Sequence, residues 1–113
     1  MIQLVLRIVC ASNRVQQMIQ GLRSLMLPVQ LDRGCKGCHL YMDAGDTRAL
    51  CYVEEWKTPQ DLDREIRSER FTRLLSVMES ASEPPTLEFL FVSRKRGLDY
   101  VEEVRPSPQA LRE

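Results

Sequence analysis

The sequence has little that would draw it to a charged partner, a membrane or an export route. Its 16 Lys and Arg residues are cancelled by 16 Asp and Glu. The basic residues are scattered, so there is no electrostatic footprint of a nucleic-acid binder. The apolar run at the start, MIQLVLRIVC, is short and is broken by Arg7. It is too short for a membrane span and lacks the basic segment that opens a secretory signal. The expectation is a cytoplasmic protein without a membrane partner. In that setting Cys10, Cys35, Cys38 and Cys51 are expected as reduced thiols rather than a disulfide framework. Aromatic residues make up only 6%, with a single Trp. The chain has 113 residues, 43% of them hydrophobic. That is enough for one core, read here as a single domain over residues 1–105 with a loose tail at 106–113. A domain of this size gains from oligomerisation.

The lone Trp sits in the stretch around which the rest is organised, Cys51 to Phe71. Residues 49–56 read as a strand with Leu50, Tyr52 and Trp56 on one face and Ala49, Cys51 and Val53 on the other. Both faces carry apolar residues, so both are expected to be covered. Thr58 is placed as an N-cap, Pro59 as the first helical residue and Asp61 as an acid in the first turn. Trp56 therefore stands at a corner between sheet and helix, where its ring fits a pocket wall and its N–H needs an acceptor.

Along the chain, Ile2, Leu4, Leu6, Ile8 and Cys10 alternate as one face of a first strand. Ser12 or Asn13 is expected to cap a helix with Val15, Met18, Ile19, Leu22, Leu25 and Met26 at helical spacing, ended by Pro28. A second strand runs from Cys35 to Met42, with Cys38, Leu40 and Met42 alternating against His39 and Tyr41. Asp43-Ala44-Gly45-Asp46 turns it into the Trp56 strand as a hairpin. The helix from Pro59 loses its apolar period after Ile66. A break at Arg67-Ser68, with Ser68 capping a helix that carries Phe71, Leu74, Leu75 and Met78, restores it. Leu87, Phe89 and Phe91 mark a fourth strand, and Leu98 to Val104 reads as a weaker fifth one. The order βαββαβ predicts an α+β, ferredoxin-like fold with an antiparallel sheet and helices on one face. The helix-free face is then apolar enough to call for a symmetric sheet-to-sheet homodimer.

These residues together resemble the antibiotic biosynthesis monooxygenase family, of the dimeric α/β-barrel type, and within it the branch described as quinol monooxygenases. The resemblance runs through Gly34-Cys35, Leu40-Tyr41 with Asp43, Val53-Glu54-Glu55-Trp56, Leu62 with Ser68 and Phe71, Leu74-Leu75 and Glu83-Pro84-Pro85. It implies a homodimer with a pocket between sheet and helices. It also implies oxidation of a small quinol or other electron-rich aromatic by molecular oxygen, without metal or flavin. Two positions where members often carry His hold Glu65 and Arg70 here, and Tyr52 stands where some cofactor-free members place Asn. A catalytically silent dimeric module, binding a small ligand or a partner protein, is the alternative that these departures motivate.

A quinol must lose a proton before it reacts with oxygen, so the site needs a base and donors for the resulting anion. Glu65 is the candidate base and Tyr52 the candidate donor. Trp56, Tyr52, Arg70, Phe71 and Tyr41 are the candidate substrate contacts, Trp56 and Tyr52 as aromatic walls and Arg70 as a partner for an anionic oxygen. Cys35-Lys36-Gly37-Cys38-His39 has the CxxCH spacing of a covalent haem attachment site. Its strand setting sends Cys38 and His39 to opposite faces, and no export signal accompanies it. No cofactor is therefore expected, and the motif is read as small residues packing the start of a strand. A zinc site would need ligands beyond these that the sequence does not group.

Overall fold

A computed structural model describes residues 1–105, and the tail read at 106–113 lies outside the described residues. Four strands form one antiparallel sheet: β1 (Ile2–Val9), β2 (Cys35–Met42), β3 (Ala49–Trp56) and β4 (Thr86–Phe91). They lie in the order β2-β3-β1-β4. Three helices cover one face: α1 (Val15–Gln30), α2 (Pro59–Ile66) and α3 (Glu69–Glu79), with α4 (Leu98–Val104) following the last strand. This is the α+β, ferredoxin-like arrangement that the element order predicts.

The core is built from one parity of each strand. Ile2, Leu4, Leu6 and Ile8 of β1 and Leu50, Tyr52 and Trp56 of β3 turn inward against Met18, Leu22, Leu25 and Val29 of α1, Leu62 of α2 and Phe71 and Leu74 of α3. Register follows from that parity, because slipping β3 by one residue would turn its inward set outward. Leu6 stands opposite Tyr52 and Ile2 opposite Trp56.

The caps at the β3–α2–α3 corner form as the sequence implies. Thr58 Oγ1 accepts from the Asp61 N–H at 3.1 Å. Ser68 Oγ accepts from the Phe71 N–H at 3.3 Å and donates to the Glu65 carbonyl at 2.6 Å, fixing the break between α2 and α3. At the hairpin, Asp43 Oδ1 takes the Gly45 N–H at 2.7 Å and the Asp46 N–H at 3.2 Å, the side-chain turn chemistry that Asp favours.

Four expectations are corrected. Neither Ser12 nor Asn13 caps α1: residues Ser12–Arg14 make a 3₁₀ turn, and the helix starts at Val15 with no side-chain cap. Pro28 does not end α1, which runs on to Gln30. Val29 continues the apolar rhythm and is fully buried, so its burial offsets the backbone hydrogen bond that proline removes. Residues 98–104 are a helix rather than a strand. Leu98, Val101 and Val104 follow helical spacing, and Arg96 pairs with Asp99 at 2.7 Å and Glu103 at 2.6 Å along the helix flank. The helix-free sheet face is mixed rather than broadly apolar. Val5, Val53 and Leu90 share it with an Arg7–Glu88 ion pair at 2.7 Å and a hydrogen bond from Gln3 Nε2 to Glu55 at 3.2 Å.

Candidate functional site

The inward face of β3 carries one acid among its apolar residues, and this acid organises the interior. Glu54 lies between Tyr52 and Trp56 in the inward set and is 2% exposed. Tyr52 Oη donates to Glu54 Oε2 at 2.6 Å, and Trp56 Nε1 donates to Glu54 Oε1 at 2.9 Å. Both aromatic side chains are fully buried. Each of their polar atoms thus has its partner on the same carboxylate, which satisfies the demand that buried polar groups be hydrogen-bonded. The Cys38 thiol donates to Tyr52 Oη at 3.4 Å, extending the chain of contacts to β2.

A bulge brings a second thiol to this face. Cys35 stands opposite Trp56 and Cys38 opposite Glu54, with the register shifting between Cys35 and Gly37. Residues three apart in a regular strand point to opposite faces, but the extra residue of the bulge puts both cysteines on one. His39 falls on the other face beside Val53, where its Nε2 lies 3.8 Å from Glu55 Oε1. Cys38 and His39 are on opposite faces, as the strand reading requires.

Burial governs the acidities here. Withdrawal from water pushes the Glu54 carboxyl above its ordinary value; the Tyr52 and Trp56 donors pull it back, the Glu65 charge adds to the rise and Arg70 opposes it. Burial also pushes the Cys38 thiol up to about 12 and raises the Tyr52 phenol. The thiols are therefore protonated donors at neutral pH, not nucleophiles.

Glu65 is held differently. It is 2% exposed on the inner side of α2, and its Oε1 accepts from Arg70 Nε at 3.1 Å. Arg70 Nη2 also reaches Oε1, and it bonds Asp32 Oδ2 at 3.0 Å while Nη1 bonds the Pro28 carbonyl at 3.1 Å. Asp32 in turn pairs with Arg64 at 2.8 Å. The guanidinium placed by sequence against a ligand's oxygen is committed to tying α1, α2 and α3 together. Asp32 is held below the usual carboxylate range: burial raises it, but the Gly34 N–H, Arg70 and Arg64 outweigh that.

Trp56, Tyr52, Phe71, Glu65 and Arg70 therefore lie on the helix side of the sheet, Tyr52 and Trp56 bonded to Glu54 and Phe71 in the same core. Tyr41 does not join them. It is 55% exposed on the helix-free face, its ring 6.0 Å from that of His39. There it borders a hollow of about 350 Å³ with Arg7, His39, Val53, Glu55 and Leu90. Among the described residues, no group of three or more His, Cys, Asp or Glu side chains is arranged to hold a metal ion.

No protein-family model matches this sequence, and no curated protein does either. Solved structures match its shape. An antibiotic biosynthesis monooxygenase superposes with a TM-score of 0.71 at 19% identity, over 83% of this chain and 100% of that one. A Deinococcus radiodurans protein, proposed to be an antibiotic biosynthesis monooxygenase, gives 0.78 at 9% identity, over 86% and 97%. A Pseudomonas aeruginosa protein gives 0.70 at 22% identity, over 82% and 94%. The chain has the antibiotic biosynthesis monooxygenase fold.

Within that fold, the residue that sequence reasoning missed is Glu54. Its signal was present in the parity of β3, since positions 50, 52, 54 and 56 share a face and three of them are large and apolar. An acid in such a row must be satisfied by its neighbours, and the only side-chain donors beside it on the strand are Tyr52 and Trp56. No helix among the described residues is long and apolar enough to cross a membrane.

Proposed function

We propose that this protein is a cofactor-independent monooxygenase that oxidises a small quinol or other electron-rich aromatic with molecular oxygen, and that it works as a homodimer. The observation that carries this reading is the Tyr52–Glu54–Trp56 constellation within a fold shared with proteins named antibiotic biosynthesis monooxygenases. It joins two aromatic surfaces, two hydrogen-bond donors and a buried acid in one place. A deprotonated quinol is electron-rich enough to transfer an electron to oxygen directly, so the protein's task is to bind it flat, remove a proton and keep water away. Trp56 and Phe71 supply apolar walls, and Tyr52 supplies a polar contact for the substrate's oxygen. These groups are buried, so a ligand reaches them only if neighbouring side chains move. The four free thiols fit a reducing, cytoplasmic setting.

The second reading, a dimeric ligand-binding or protein-interaction module without catalysis, is favoured by the full commitment of Arg70 to Glu65, Asp32 and the Pro28 carbonyl. Arg70, the cation expected to hold an anion there, is thereby taken up by the protein itself. Oxygen uptake with a panel of hydroquinones and catechols separates the two. Enzyme-dependent uptake with at least one of them supports the monooxygenase, whereas binding without uptake across the panel supports the silent module.

A further inference from the structure

Glu54 is a buried carboxylate that, among the described residues, no cation hydrogen-bonds, and that difference from Glu65 sets its chemistry. Glu65 has Arg70 on its Oε1. Glu54 is held only by a phenol and an indole, each neutral, one on each oxygen. An anion so placed lacks the charge compensation that makes a buried carboxylate inert, and burial favours its neutral form. It gains from accepting a proton, and the shortest contact to it runs through Tyr52 Oη at 2.6 Å.

We infer that Glu54 is the terminal acceptor of the substrate's proton, with Tyr52 as the relay that touches the substrate. This rests on the monooxygenase reading above and names the base of that same site. The substrate hydroxyl donates to Tyr52 Oη in the seat now taken by the Cys38 thiol, 3.4 Å from that oxygen. As the substrate O–H bond breaks, its proton passes to Oη and the original Tyr52 proton passes to Glu54 Oε2. Substrate hydroxyl and carboxylate become phenolate and carboxylic acid, with net charge unchanged and Tyr52 restored. Trp56 Nε1 remains on Oε1 throughout. Cys35, partly exposed, lies on the same face as Cys38.

Charged and titratable groups of β2, β3, α2 and α3 surround Glu54. They are Tyr52 on its own strand, Cys35 and Cys38 on β2, Glu65 on α2 and Arg70 on α3. Asp32, between α1 and β2, is paired with Arg64 and Arg70. Glu65 and Arg70 act on Glu54 in opposite senses, and burial is the largest influence on it.

The test uses 4-nitrocatechol, whose phenolate absorbs in the visible, buffered below the probe's own first pKa. Wild-type protein is expected to bind it and ionise it. Glu54→Gln should bind it but lower the ionised fraction by roughly tenfold or more, the equivalent of one pKa unit. Tyr52→Phe keeps the buried ring while removing the relay, so it should show the same loss even if the Glu54 variant folds poorly. The double variant Glu65→Gln with Arg70→Met, which removes both of the opposed charges, should ionise the probe to within about threefold of the wild type. Ionisation retained in Glu54→Gln, ionisation lost in the Glu65→Gln, Arg70→Met double variant, or a wild type that leaves the probe neutral or unbound would each overturn the inference. Oxygen uptake is read separately. Turnover with unaltered ionisation in Glu54→Gln discards the relay and keeps the oxygenase, while ionisation that depends on Glu54 without turnover on any quinol keeps the relay and discards the oxygenase.

Discussion

Trp56 Nε1 donates to Glu54 Oε1 at 2.9 Å, two residues away on the same strand face. The contact requires Glu54 to sit inside the core, where an acid is costly unless it is paired. The two residues explain each other: the indole N–H needs an acceptor in a dry place, and the acid needs donors there. Tyr52 supplies the second donor from the other side.

Stability should therefore depend on pH through Glu54. Its native acidity is weakened by burial, so its pKa is higher folded than unfolded. Such a group contributes stability that is fully present below the unfolded value, near pH 4.5, and lost as pH rises through the native one. The melting temperature of the wild type relative to Glu54→Gln should be most favourable in mild acid and decline toward neutrality. Parallel melting curves from acid to neutral pH would count against a buried acid of raised pKa.

Trp56→Phe distinguishes a ligand wall from a core plug. Phe fills most of the volume but leaves Glu54 Oε1 without its indole donor, so stability should fall by about 1–3 kcal/mol. If Trp56 also faces bound ligand, the affinity for an aromatic should weaken by about tenfold through lost stacking. Urea melts and a fluorescence-independent titration, such as calorimetry, give the two numbers. Unchanged affinity would assign Trp56 to the core alone.

The Glu65–Arg70 pair should prove structural. Removing the cation by Arg70→Met leaves Glu65 buried without its partner, and such losses cost about 3–5 kcal/mol. The double variant Glu65→Gln with Arg70→Met should recover much of that. Denaturant melts of the four proteins in the cycle measure the coupling. Turnover in Glu65→Gln should stay within about tenfold of wild type, because the base is placed elsewhere; a fall of about 10²-fold or more would return that role to Glu65.

Association should show in sedimentation. Val5, Val53 and Leu90 lie on the helix-free face among ion pairs, a mixed surface of the kind that pairs with a second copy through a central apolar patch. A dimer is expected at micromolar concentration, and Val53→Arg should weaken it by about 30-fold or more. A wild type that sediments as a monomer at that concentration would remove the dimer from the account.

Much of the fold was legible because the strong signals are local. Thr58-Pro59 and Ser68 state where helices begin, and the alternation of Ile2 to Ile8 states which way the first strand faces. Pro28 misled because burial of Val29, a tertiary effect, outweighs one lost hydrogen bond. Residues 98–104 misled because Leu98 and Tyr100 alternate as in a strand, while the Arg96 pairs with Asp99 and Glu103 that favour the helix are visible only in three dimensions. The shared face of Tyr52 and Trp56 follows from strand parity alone, whereas the inward placing of Glu65 depends on its pairing with Arg70 and is visible only in three dimensions. Glu54 was not singled out, since an acid in a strand ordinarily faces water, and Tyr41 was grouped with the others although parity puts it on the opposite face.

The most direct measurement is the fate of oxygen labelled as ¹⁸O₂ when the reduced protein is mixed with the best-bound quinol. One labelled atom in the oxidised product, with release that depends on the enzyme, is the result predicted for a cofactor-independent monooxygenase. An unlabelled product formed no faster than without protein, although the quinol binds beside Trp56, would contradict it.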